Sequence, residues 1–155
     1  MTTIATDGRT IASDSLMSFG HERSLHPSKK IHVGKGAIYA TCGLGGLLEV
    51  LAKWHEDGAK PDAVPKTGGD EEWAMLVITR AGMSYIHSKA LFAVPVAPPF
   101  SIGGGGEFAT GAMEAGATPE RAVEIACRRS NKSGLPVQVV DIAEALGIKQ
   151  LQAAE

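Results

Sequence analysis

Met1-Thr2-Thr3-Ile4-Ala5-Thr6-Asp7-Gly8-Arg9-Thr10-Ile11-Ala12-Ser13-Asp14 opens the chain. It reads as two runs of β-formers, residues 2–6 and 9–14, around Asp7-Gly8, a strong hairpin signal. Such a hairpin places Asp14 roughly opposite Thr2. A turn of two or of three residues leaves that pairing open by one position. Thr2 carries a hydroxyl nucleophile, and with Met1 removed it also carries a free α-amine. An α-amine has an unperturbed pKa near ~8, so it serves as a general base at neutral pH on the same residue as the nucleophile.

Outward from this hairpin, residues 29–33 and 36–42 form a second strand pair, turning at Gly34-Lys35-Gly36. A helix starts near Gly46, with Leu47, Leu48, Val50, Leu51 and Trp54 at helical spacing, and ends around Asp57-Gly58. Pro61, Pro65, Gly68 and Gly69 mark residues 59–70 as a loop. Trp73–Thr79 and Met83–His87 form a third hairpin across Arg80-Ala81-Gly82. Leu91–Val94 and Phe100–Ile102 read as short strands, and Glu107–Glu114 as a helix ending near Gly116. Thr118 is an N-cap with Pro119 at the first helical position, and Val137–Ile142 is a last strand. Residues 143–153 read as a short helix or a frayed tail. Paired antiparallel strands with helices grouped between them give the α+β class rather than an alternating parallel sheet. Residues 1–155 read as a single domain.

Composition narrows the function. The chain has 155 residues, 44% hydrophobic and 21% charged, with a net charge of -2, ordinary values for one globular domain. Without a basic stripe, nucleic acid is not an expected partner. No apolar run is long enough for a bilayer and no signal sequence opens the chain, so the expected location is cytoplasmic and off the membrane. Cys42 and Cys127 lack metal-ligand spacing and read as buried reduced thiols. The five histidines form no zinc motif. Glycines cluster at Gly43-Leu44-Gly45-Gly46 and Gly103-Gly104-Gly105-Gly106, each between a strand-like and a helix-like run. Neither cluster completes a nucleotide-binding pattern, so no cofactor and no metal are expected.

Five segments then come in a telling order: the opening Thr-Thr-Ile, Ala12-Ser13-Asp14-Ser15, Lys29-Lys30-Ile31, Gly43-Leu44-Gly45-Gly46 and Ile102 to Gly106. Through residues 1–142 the chain resembles the proteasome β-subunit family, above all the bacterial HslV peptidase and the smaller bacterial proteasome homologues. The resemblance implies the N-terminal nucleophile hydrolase fold, a four-layer αββα sandwich of two antiparallel sheets. It implies that Thr2 is the nucleophile and its own amine the base. Lys30 would sit beside them, depressing the amine's pKa by like-charge repulsion, and Asp14 would pair with Lys30. The Gly45 backbone N–H would face the developing oxyanion, a contribution typically worth ~3 kcal/mol of barrier. The Lys30 to Gly45 spacing equals the family's. The Thr2 to Asp14 spacing is shorter by an even number of residues, which keeps each hairpin side chain on its face.

Two positions depart from the family. The second glycine-rich turn usually holds a serine where this chain has Gly104. Near the end of the last long helix the family has an acid and a serine, three residues apart. Ser133-Gly134 matches the serine and its glycine, but the acid position holds Ser130. Ser130 and Ser133 are therefore supporting candidates. The resemblance implies a self-compartmentalising threonine peptidase acting on unfolded polypeptides, in homo-oligomeric double rings of twelve or fourteen subunits, with an ATPase unfoldase as partner. The absent serine and acid motivate an alternative, a ring-forming protein with weak or no peptidase activity. An amidohydrolase acting on a small amide is a third reading, against which the lack of added substrate loops argues. No long segment precedes Thr2 in this sequence, so methionine removal alone would expose it.

Overall fold

Alternation along the strands sorts the side chains into three buried layers. The computed structural model describes residues 2–148. Strands β1 (Thr3–Thr6) and β2 (Thr10–Ser13) form the first hairpin, β3 (Ser18–Phe19) and β4 (Glu22–Arg23) a small separate one. Next come β5 (Ile31–Val33), β6 (Ala37–Cys42), helix α1 (Leu48–Glu56), a 3-10 turn (Pro61–Ala63), β7 (Ala74–Thr79) and β8 (Gly82–His87). The remainder is β9 (Val94–Val96), β10 (Phe100–Gly103), α2 (Gly106–Glu114), α3 (Pro119–Arg129), β11 (Gln138–Asp141) and α4 (Ile142–Ala145). One sheet has the order β10-β1-β2-β11 and the other β5-β6-β7-β8-β9, and every pairing in both is antiparallel.

Because successive strand residues face opposite sides, Ile4, Ile11, Ile38, Ala40, Leu76 and Ile78 pack together between the sheets. Their neighbours point outward. Ala5 and Ala12 meet Ala109, Met113, Ala122 and Val123 of α2 and α3, small residues that let the two helices lie close to the sheet. Tyr39, Met75 and Val77 meet Leu48, Leu51 and Trp54 of α1. The result is the expected four-layer αββα sandwich. Trp54 is a core residue, edge-on to Trp73, and its indole N–H donates to the Lys60 carbonyl. Thr118 caps α3 as expected, its hydroxyl accepting from the Arg121 N–H.

Several boundaries differ from expectation. Thr6 pairs with Ile11, so four residues, Asp7 to Thr10, separate the paired positions, the last of them already in β2 and paired with Asp141. Asp7 Oδ1 accepts from the N–H groups of Arg9 and Thr10, and Gly8 takes a φ of 86° that favours glycine. The register that follows settles the position left open, setting Asp14 beside Thr3, with the Asp14 N–H donating to the Thr3 carbonyl. Leu91 has a φ of 57°, which turns the chain, so the ninth strand starts at Val94. Pro95 is tolerated there because β9 is an edge strand. The last strand is shorter than Val137–Ile142, since Asp141 caps α4 by accepting from the Glu144 N–H. The expected helix or tail beyond residue 148 lies outside the described residues. The β3-β4 hairpin was not foreseen, because two-residue strands leave no periodicity to read.

Leu51, fully buried, and Val50, 50% exposed, are adjacent on α1 and separate packing from helix propensity. Leu51→Ala is expected to lower unfolding free energy by about 2–5 kcal/mol. Val50→Ala should stay within ~0.5 kcal/mol. Urea titration of both variants measures the contrast.

Candidate active site

Asp14 sits one residue past β2, with no exposed surface, and a carboxylate there must have its lone pairs filled. Oδ1 accepts from the Thr3 backbone N–H at 2.8 Å and from Lys30 Nζ at 2.8 Å. Oδ2 accepts from the N–H groups of Leu16 and Gly134, each at 3.0 Å. All four partners are donors, so the anionic form is the one this nest suits. Lys30 enters from the other sheet, immediately before β5, and is 6% exposed. Burial lowers its pKa below the ordinary lysine value, opposed by the charge and hydrogen bond of Asp14.

Thr2, 3% exposed, precedes β1. Thr2, Lys30 and Gly45 line one cavity of about 370 Å³. Its walls also include Met17, Phe19, Thr41 and Gly43, and its charged groups are Lys29 and Lys30. Both glycine clusters serve close approach. A Cβ on Gly103 would collide with the Thr2 carbonyl, and one on Gly43 with the Glu72 carbonyl. Both also hold positive φ, 95° and 112°. The Gly105 N–H points at the Thr2 carbonyl, at 3.5 Å. Thr2 is thus seated by backbone that admits no side chain.

Thr2, Asp14, Lys30 and Gly45 therefore converge, and so does Ser133. Its buried hydroxyl lies 2.5 Å from Thr3 Oγ1, and its neighbour Gly134 donates to Asp14. Ser130 does not converge. It ends α3, and its hydroxyl accepts from the Lys132 N–H at 3.1 Å. Held at the helix end, Ser130 does not line the cavity beside Thr2. Lys132 also explains Gly104. A Cβ on Gly104 would stand 2.6 Å from Lys132 Cδ and 3.0 Å from its Cβ. The lysine stem fills the space a side chain would need. Cys42 and Cys127 are free and half-buried rather than fully buried. Burial raises the pKa of both thiols, that of Cys127 to about 11, which disfavours a thiolate nucleophile. Among the described residues no group of His, Cys, Asp and Glu is arranged to hold a metal ion, and no helix is long and apolar enough to cross a membrane.

No protein-family model and no curated protein matches this sequence. Solved structures do match it. BPH of Thiobacillus denitrificans in complex with epoxomicin superposes with a TM-score of 0.68 at 19% identity, over 91% of this chain and 98% of that one. A second structure of that BPH gives 0.67 at 21%, over 90% and 97%. Eukaryotic HslV from Trypanosoma brucei gives 0.68 at 16%, over 90% and 98%. The chain has the HslV fold. The neighbours agree with the resemblance read from the sequence. Within the HslV fold of this chain, four parts carry no local sequence signal: Met17 and Phe19 in the cavity wall, the Gly134 N–H on Asp14, and the Gln138 side chain on the Lys30 N–H.

Removing Asp14 and removing Lys30 should differ in cost. Asp14→Ala strands a buried ammonium, expected at about 3–5 kcal/mol. Lys30→Met leaves the carboxylate three backbone donors and should cost less. Equal losses in chemical denaturation would refute this account of the nest. Gly104→Ser is expected to destabilise by about 1–2 kcal/mol through overpacking. Adding Lys132→Ala should recover most of the loss, as read by melting temperature.

Proposed function

We propose that this chain is a threonine-type peptidase, with Thr2 as nucleophile once Met1 is removed. One observation carries the reading. Thr2, Lys30 and Gly45 line a single cavity, and a buried carboxylate, Asp14, holds the lysine. In the proposed reaction Thr2 Oγ1 attacks the scissile carbonyl, and its proton passes to the Thr2 α-amine. The Lys30 ammonium keeps that amine neutral by like-charge repulsion. The Gly45 N–H stabilises the oxyanion. The protonated amine then gives its proton to the departing amine, leaving an ester on Thr2. Water, activated by the same amine, hydrolyses that ester and restores the hydroxyl. Ser133 supports the strand through Thr3.

The proposed substrate is unfolded polypeptide, and the proposed setting is a cytoplasmic double ring fed by an ATPase. The second reading, an assembly protein with weak or no activity, is favoured by Gly104 under the Lys132 stem and by Ser130, where the resemblance calls for an acid, at the end of α3.

The BPH neighbour was solved with epoxomicin, which makes a peptide epoxyketone a suitable probe. Mass spectrometry should find the intact protein without Met1 and a single adduct on Thr2. Thr2→Ala should abolish the adduct and reduce peptide hydrolysis by about 10³-fold or more. Retained Met1, or no adduct on a folded protein, would leave the assembly reading standing.

A further inference from the structure

One polar side chain bridges the two sheets beside the Asp14–Lys30 pair. Gln138 lies on β11, an edge strand of the first sheet, opposite Ser13. Its Nε2 donates to the Ser28 carbonyl at 2.8 Å and to Ser15 Oγ at 3.0 Å. Its Oε1 accepts from the Lys30 backbone N–H at 3.4 Å.

The partners fix the orientation of this amide. The Ser28 carbonyl can only accept. The Ser15 hydroxyl spends its proton on the Pro136 carbonyl at 2.6 Å, so it too offers a lone pair. The Lys30 N–H can only donate. A flipped amide would oppose like groups at these contacts.

Both halves of the ion pair are tied through it. Ser15 follows Asp14, and its N–H donates to the Gly134 carbonyl, while the Gly134 N–H donates to Asp14. On the other side, the Lys30 carbonyl accepts from the Thr41 N–H, leaving the Lys30 N–H for Gln138. Asp14 belongs to one sheet and Lys30 to the other, so their 2.8 Å contact depends on the spacing between the sheets.

We infer that Gln138 is a positioning residue for the reaction, acting through Lys30. It holds the backbone of residues 28–30 at the distance that points the ammonium at both Asp14 and the cavity lined by Thr2. The inference rests on the threonine-peptidase reading. With the amide gone, the segment keeps the Ser28 N–H bond to the Ser15 carbonyl but loses the tie at Lys30 itself, and the ammonium stands farther from the Thr2 amine. Repulsion falls, the amine's pKa rises, and a larger share of the base is protonated at neutral pH.

The test compares pH profiles of peptide hydrolysis by the full chain. Gln138→Met keeps length and removes the hydrogen bonds without adding charge. Its kcat/KM at neutral pH should fall about tenfold, and the acid limb of the profile should move to higher pH. Ser15→Ala removes one acceptor and should move the limb the same way by less. Val139→Ala, on the same strand but exposed, should leave the profile unchanged. A folded Gln138→Met enzyme with the wild-type limb overturns the inference, as does one whose loss is in melting temperature alone. Should Gln138→Met fail to fold, an unshifted limb in Ser15→Ala overturns it. Wild-type protein that neither cleaves peptide nor takes the epoxyketone sinks the peptidase reading itself, a separate result.

Discussion

A carboxylate with no surface exposure organises this molecule. Asp14 gathers donors from four separate segments: Thr3 on β1, Leu16 beyond β2, Lys30 ahead of β5 and Gly134 ahead of β11. Burying such a charge is costly unless every lone pair is met. The arrangement therefore constrains the strand register, the approach of the second sheet and the path after α3 together. The same bonds fix where a lysine stands beside Thr2, so the folding constraint and the proposed chemistry share one group.

The sandwich supplies the frame for that contact. Isoleucines and leucines between the sheets set their separation, while alanines on the outer face of β1 and β2 let α2 and α3 close down. Backbone without side chains does the rest. Gly103 and Gly43 make room where chain meets chain, and the cavity beside Thr2 opens between the second sheet's glycine turn and the β3-β4 hairpin. At Gly104 the stem of Lys132 covers the ground a side chain would hold.

Much of this was legible in local pattern. Alternating Thr-Ile-Ala-Thr and Thr-Ile-Ala-Ser around Asp7-Gly8 announce a hairpin whose two faces bury different partners. Thr118-Pro119-Glu120 announces a helix start. The order of Thr2, Asp14, Lys30 and Gly45 carries the resemblance to proteasome β-subunits. Each of these signals is short-range, so spacing along the chain is enough to read it. What local pattern left open or silent was weak: the turn length decided which neighbour Asp14 meets, within the one position left open, and the two-residue β3 and β4 leave no pattern.

Sequence alone determined the layered α+β architecture and named a threonine, an aspartate, a lysine and a glycine as the group to examine. Tertiary structure decided that Ser133 turns inward while Ser130 ends a helix, that Gly134 serves Asp14, and that Gln138 spans the two sheets. These contacts join residues more than a hundred positions apart, across loops whose lengths do not encode where they end. Their geometry comes from how the sheets and helices pack, and only the folded chain carries that information.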